Sequence, residues 1–223
     1  MSEASRRSTT ERNVIRMYVP AEYQMKDQQK MIQFIRKHSF GVLFSQQNGL
    51  PHGTHLPFLI ETGADGDLYL VSHMSRANPQ WRSIDSQVLT VFSGPHAYVS
   101  PTWYEQKGFV PTWDYMAVHV YGEFMHVDDA EGLRTIMEQT ITYYESGMDE
   151  PWDGQIPDHI YHRLIQGVMG FKIKITDMQA QWKLHQDHSP ERRNNVIRHL
   201  KKTGEPDALK IAEAIKAANP DNV

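Results

Sequence analysis

From Phe40 onward the apolar residues of this chain fall at every second position, the period of a strand that buries one face. Gly41-Val42-Leu43-Phe44-Ser45 reads as one such strand, and Thr54 to Ile60 as its partner across the strong hairpin signal Asn48-Gly49. Gly63 to Asp67 is a second turn, followed by a strand from Leu68 to Ser72. Further strands run over Val88 to Phe92 and Tyr115 to Val127. In the second of these Met116, Val118 and Val120 alternate with Ala117, His119 and Tyr121. Phe171 to Ile175 is the last, with Lys172 and Lys174 between apolar residues. Turns at this spacing predict a six- or seven-stranded antiparallel barrel, mainly β with flanking helices.

Helices interrupt the pattern in few places. Asp27 opens one in which Met31, Phe34, Ile35 and His38 recur at three- and four-residue spacing. Asp128 with Glu131 reads as a capping box ahead of Leu133, Ile136 and Met137. A shorter helix covers Pro157 to Gln166, and Ser189-Pro190 and Glu205-Pro206 open two more. The predicted organisation is a flexible tail at 1–16, a barrel domain at 17–186 and a C-terminal helical extension at 187–223.

Composition removes several chemistries. With 0 Cys there is no disulfide, thiolate metal site, cysteine nucleophile or iron–sulfur cluster, so redox chemistry needs a bound cofactor. A net charge of −4 argues against a surface built to hold nucleic acid. No apolar run approaches the length of a membrane span, and the Arg- and Ser-rich start lacks a signal-peptide core. The expected location is cytoplasmic, without membrane contact.

Three stretches invite a chemical reading. In Leu70 to Trp81 a strand ends and a helix is expected near Ser75. Its N–H groups, two hydroxyls and Arg76 would make a phosphate cradle, the plainer alternative being Ser75 as a cap with Arg76 in solvent. Two Pro-Thr-Trp triplets, at 101–103 and 111–113, place aromatics in loops, either as a stacking platform or as a satellite core or dimer interface. The pairs His52/His55, His159/His162 and His185/His188 match no established metal pattern and read as scattered histidines. No Gly-x-Ser-x-Gly, P-loop or Gly-x-Gly-x-x-Gly is present. Arg192, Arg193, Arg198, Lys201 and Lys202 superficially fit a helix-turn-helix, but a solvated face on a packed helix pair explains them better.

Met17-Tyr18-Val19-Pro20, His55-Leu56-Pro57-Phe58, Ser75 to Trp81, Gly94 to Pro101 with Trp103-Tyr104, Val110 to Trp113 with Tyr115, Ala117-Val118-His119 and Gly170-Phe171 occur in one order over about residues 17–186. In these blocks the sequence resembles the PaiB-type family of FMN-binding negative transcriptional regulators. The resemblance implies an FMN-binding split β-barrel of the flavin-reductase and pyridoxamine-phosphate-oxidase-like type, a homodimer with FMN at the interface. Ser72, Ser75, Arg76 and Asn78 would hold the phosphate and ribityl chain, and Thr54, His55, Leu56 and Pro57 would run beside the isoalloxazine. Trp103, Tyr104 and Trp113 would close over the ring, and Lys183 matches a segment near the flavin. After Trp182-Lys183-Leu184 this chain departs from the family's Ser-Gln-Asn and carries His185-Gln186-Asp187. The implied function is a transcriptional regulator or flavin-dependent sensor. The alternative is an FMN-dependent oxidoreductase of the same fold, flavin/NAD(P)H-linked or haem-related, and the sequence leaves open whether the protein is an enzyme. DNA is a weakly supported partner.

Overall fold

A computed structural model describes residues 17–154 and 156–220, without the side chains of 158, 159 and 162. The expected tail at 1–16 and the His159/His162 pair therefore lie outside what is described. Among the described residues eight strands form one antiparallel sheet: β1 (Gln24–Met25), β2 (Phe40–Gln47), β3 (Leu50–Pro57), β4 (Leu59–Thr62), β5 (Leu68–Ser75), β6 (Gln87–Val99), β7 (Thr112–Val127) and β8 (Val168–Lys183). Their order is β3-β2-β6-β7-β8-β5-β4, with β1 added to β8. This is the split barrel. The three long strands outrun the stretches of alternation in the sequence, because β8 alone pairs with β5, β7 and β1 at different levels.

β3 does not pair with β5 as a strand. Side chains bridge the two, with the Ser72 hydroxyl donating to Pro57 O at 2.6 Å. The barrel interior holds Leu43, Phe58, Leu70, Phe92, Val118, Val120, Met169, Phe171 and Ile173, all essentially inaccessible. Helix α1 (Gln28–Lys37) covers one end with Met31, Ile32, Phe34 and Ile35; its cap is Asp27, accepting from Lys30 N at 3.2 Å.

At Ser93 to His96 the β6–β7 register shifts. Gly94 sits in that bulge because a Cβ there would lie 2.6 Å from the Phe34 ring. Beyond the bulge, β6 leaves the barrel and enters a second apolar cluster. There Ala97, Val99, Tyr104 and Leu184 pack on helices α4 (Pro190–Thr203) and α5 (Pro206–Ala218) through Val196, Leu200, Ile211 and Ile215. Gly204, at φ 73°, turns one helix into the other. Helices α2 (Ala130–Glu145) and α3 (Asp158–Gln166) connect β7 to β8. Asp129, not Asp128, caps α2, accepting from Gly132 N at 2.7 Å. No described helix is long and apolar enough to cross a membrane.

Candidate functional site

The cradle expected at Ser75 takes a different form. β5 continues through Ser75, and the only helical turn that follows is a five-residue 3-10 turn at Pro79–Ser83. Pro79 supplies its fixed φ at the first position, and Asn78 caps it by accepting from Gln80 N at 2.9 Å. So short a turn offers no extended helix N-terminus to an anion, and Ser75 Oγ instead accepts from Ala77 N at 3.2 Å.

What the turn supplies is cation. The Arg76 backbone is fixed by its N–H to Gly167 O at 2.8 Å, and its Nη2 donates to Val168 O at 3.1 Å. Arg76 O in turn accepts Trp81 Nε1 at 3.1 Å. The Arg82 guanidinium lies 4.8 Å and that of Arg76 6.0 Å from the Trp81 ring. Neither arginine forms an ion pair with a carboxylate among the described residues. In a chain of net charge −4 that is an open place for a dianion.

The neighbouring candidates are largely engaged with one another. Asn78 Nδ2 donates to Thr54 Oγ1 at 3.0 Å, and Thr54 donates to Gln80 Oε1. Gln80, almost fully buried, donates from Nε2 to Leu43 O at 3.1 Å and Ser45 Oγ at 3.0 Å. This network braces β3 against the turn after β5. Ser72 is likewise buried with its hydroxyl on Pro57 O, and Leu56 faces the core. His55 is exposed on β3, its ring stacked 6.2 Å from Phe40. Sequence reading missed Gln80 and Arg82. Nothing local separates an anchoring glutamine from a solvated one, or distinguishes Arg82 from any other exposed arginine.

The remaining candidates gather elsewhere. Thr54 shares a sheet row with Leu43 and Thr90, whereas Trp113 pairs with Tyr98, about 25 Å further along β6 at roughly 3.3 Å per residue. Trp103 stacks on His199 at 5.6 Å, and Tyr104, 1% exposed, is enclosed by Phe109, His185 and His188. The first Pro-Thr-Trp triplet therefore feeds the satellite core. The second leaves Trp113 53% exposed, while Lys183 donates to the hydroxyl of Thr112, the residue before it.

Around Tyr104 lies a cluster the sequence did not announce. Asp114 (0% exposed) sets Oδ2 2.5 Å from His185 Nδ1, and His185 (2% exposed) sets Nε2 3.2 Å from the Tyr104 hydroxyl. The network assigns the imidazole proton to Nδ1, leaving Nε2 to accept from Tyr104. Burial pushes the Asp114 carboxyl up, against the pull of His185, and also raises the Tyr104 hydroxyl. Burial and the neighbouring His185 hold His188 below its usual value. The histidines at 185 and 188 are thus not scattered; their rings lie 4.5 Å apart.

Residues 17–177 match the family described as "Putative FMN-binding domain". The chain belongs to this PaiB-type FMN-binding family. FMN is its cofactor. Among relatives, the chain is 36% identical over 207 residues to "Protease synthase and sporulation protein PAI 2" of Bacillus subtilis, covering 90% of this chain and 97% of the relative. The fold is similar to that of the flavocytochrome Anf3 from Azotobacter vinelandii, with TM-score 0.57, 13% identity, and 72% and 69% of the two chains covered. It is also similar to the FAD and heme binding protein from Mycobacterium smegmatis, with TM-score 0.53, 14% identity, and 72% and 73% covered. The two guanidiniums on Trp81 are of a chemistry that suits a phosphate group.

Proposed function

We propose that this FMN-binding protein works as a homodimeric flavin-dependent sensor, with the FMN phosphate held by Ser75, Arg76 and Arg82. The observation that carries this reading is the pair of guanidiniums on Trp81 without carboxylate partners among the described residues. Thr54, His55, Leu56 and Pro57 run beside the isoalloxazine, while Ser72 and Asn78 keep the β3–β5 junction in shape for the ribityl chain. The junction is open, with Ser75, His55 and Arg82 exposed, so a second protein surface is needed to cover a flat ring. Two features support a second copy as that surface. The outer face of β2 presents exposed Phe40 and Phe44 next to β3, and Trp113 stands exposed at the other end of the barrel. Trp103 and Tyr104 then act behind Trp113, fixing the lobe that carries it.

Direct reading of DNA is the weaker use of the C-terminal helices. Arg198 pairs with Glu105 at 2.5 Å, Lys201 pairs with Glu213 at 2.6 Å, and Arg192 sits 4.4 Å over the Phe109 ring. A second reading, an FMN-dependent oxidoreductase, is favoured by the Asp114–His185–Tyr104 chain, since those groups can pass a proton. FMN titrated into the full-length apoprotein, followed by anaerobic NADH or NADPH, tests both. Tight FMN that stays oxidised supports the sensor; rapid bleaching supports the oxidoreductase. Failure to bind FMN overturns both.

A further inference from the structure

Strand β4 ends the strand order and pairs with β5 alone. Along it lies a cavity of about 460 Å³ that touches Phe58, Leu59, Ile60 and Glu61 in succession. Side chains of a strand alternate between faces, so contact with successive residues means that the cavity follows the edge, here for about 10 Å. Its volume falls within the range of small-molecule sites. Thr142 and Tyr143 of α2 form the facing wall, and Arg36 of α1 stands at the rim. Hydrogen bonds fix these walls. The Tyr143 hydroxyl donates to Arg36 O at 2.5 Å, and the Tyr144 and Ser39 hydroxyls meet at 2.7 Å. Leu59, half-buried, and the Tyr143 ring, 37% exposed, remain within reach of a ligand.

The charges around this groove are unequally matched. Glu61 is taken by Lys172 and Glu138 by Arg134, each at 2.7 Å. In the adjoining hollow that Arg36 also lines, Lys174 holds Asp67 at 2.5 Å and the Gln179 amide donates to Asp177 at 2.7 Å. Every carboxylate facing Arg36 thus has a donor of its own. Arg36 itself is exposed and has no carboxylate partner among the described residues. It is the cation left over at the rim of an apolar floor, and a guanidinium suits a carboxylate.

We propose that this groove binds a medium-chain alkyl carboxylate, with its chain on Leu59 and Tyr143 and its carboxylate on Arg36. A cation without an apolar floor would suit any anion, and an apolar groove without a cation any alkyl chain. The two together select an amphipathic acid, a preference that a mere gap between α2 and the sheet would not show. None of the lining residues is among those assigned to the flavin. The site therefore does not depend on where FMN binds.

The test uses the full-length protein and three probes: octanoate, 1-octanol, which lacks the charge, and butanoate, which lacks most of the chain. Calorimetry or ligand-observed NMR should show octanoate binding with a Kd of about 1 mM or tighter, as suits a ligand of so few atoms. 1-Octanol should bind about fivefold more weakly, the scale of an exposed ion pair. Butanoate should bind about tenfold more weakly or worse, because it buries fewer methylenes. Arg36→Gln should bring octanoate to the affinity of 1-octanol and leave 1-octanol unchanged. Thr142→Trp should fill the groove and weaken octanoate about tenfold or more. Both positions are exposed, so these substitutions spare the fold. Absence of octanoate binding, 1-octanol binding as tightly, selectivity that survives Arg36→Gln, or affinity indifferent to Thr142→Trp would each overturn the proposal. FMN affinity should be the same with and without octanoate; competition between them would move the probe to the flavin site and overturn it as well.

Discussion

The two ends of the barrel use polar side chains in opposite ways. At the β3–β5 junction, half-buried Arg76 and exposed Arg82 have no carboxylate partner among the described residues, and the polar groups beneath them, buried Gln80 and part-buried Thr54, are matched to one another. In the lobe beyond the β6 bulge the polar groups are inside, with Asp114 hydrogen-bonded to His185 and both almost wholly enclosed. An exposed cation contributes little to stability but is free to meet a ligand. A buried pair is costly to break and ties function to folding. Substitutions at the first end should therefore alter ligand affinity and spare the fold, while those at the second should alter the fold.

The largest effect is expected at the buried end. Asp114→Ala strands the buried His185 N–H without its acceptor, and urea unfolding should show a loss of about 2 kcal/mol. A loss below about 1 kcal/mol would place this pair with surface ion pairs and erase the contrast. Arg76→Ala should leave the unfolding midpoint nearly unchanged yet weaken FMN about tenfold or more, with riboflavin affected about twofold at most, because only FMN carries the phosphate. Equal losses for the two flavins would remove the phosphate role.

The smallest effect concerns pH. Burial holds His38, His73, His119 and His188 below the ordinary value of 6.5. Between those lowered values and 6.5 the unfolded chain binds more protons than the folded one. The stability these neutral histidines allow is complete above 6.5 and is lost as pH falls through the lowered values. Urea midpoints should decline from pH 7.5 to 5.5, and a flat profile would refute the claim. His73→Gln, on β5 before Arg76, and His188→Gln, beside Tyr104, would each flatten the slope in part and apportion it between the ends.

Much of the barrel was legible because its signals are local. The alternation around Val42 to Ser45, Asn48-Gly49 at a turn, Asp27 and Ser189 as caps, and Pro190 and Pro206 at helix starts each act within a few residues. The structure keeps each of them. Reading failed where a local signal had a competitor. Ser75 looked like a helix start, but the pairing of β5 with β8 carries the strand through it, and Asn78-Pro79 provides the stronger cap. The two Pro-Thr-Trp triplets look alike in sequence yet end in different surroundings, since Tyr104 follows the first into the helical cluster and Trp113 remains outside.

The sequence by itself determined the antiparallel β class, the exclusion of thiol chemistry and, through motif order, the FMN-binding family. Those properties rest on residue type, short-range periodicity and a pattern of short blocks along the chain. Only the tertiary structure decided that Arg82 joins Arg76 on Trp81, that Gln80 anchors the junction, and that Asp114 meets His185 across 71 residues. Such contacts depend on which strands pair and how a bulge redirects one of them. Burial then gives a carboxylate and an imidazole, ordinary in the sequence, a shared chemistry that neither has alone.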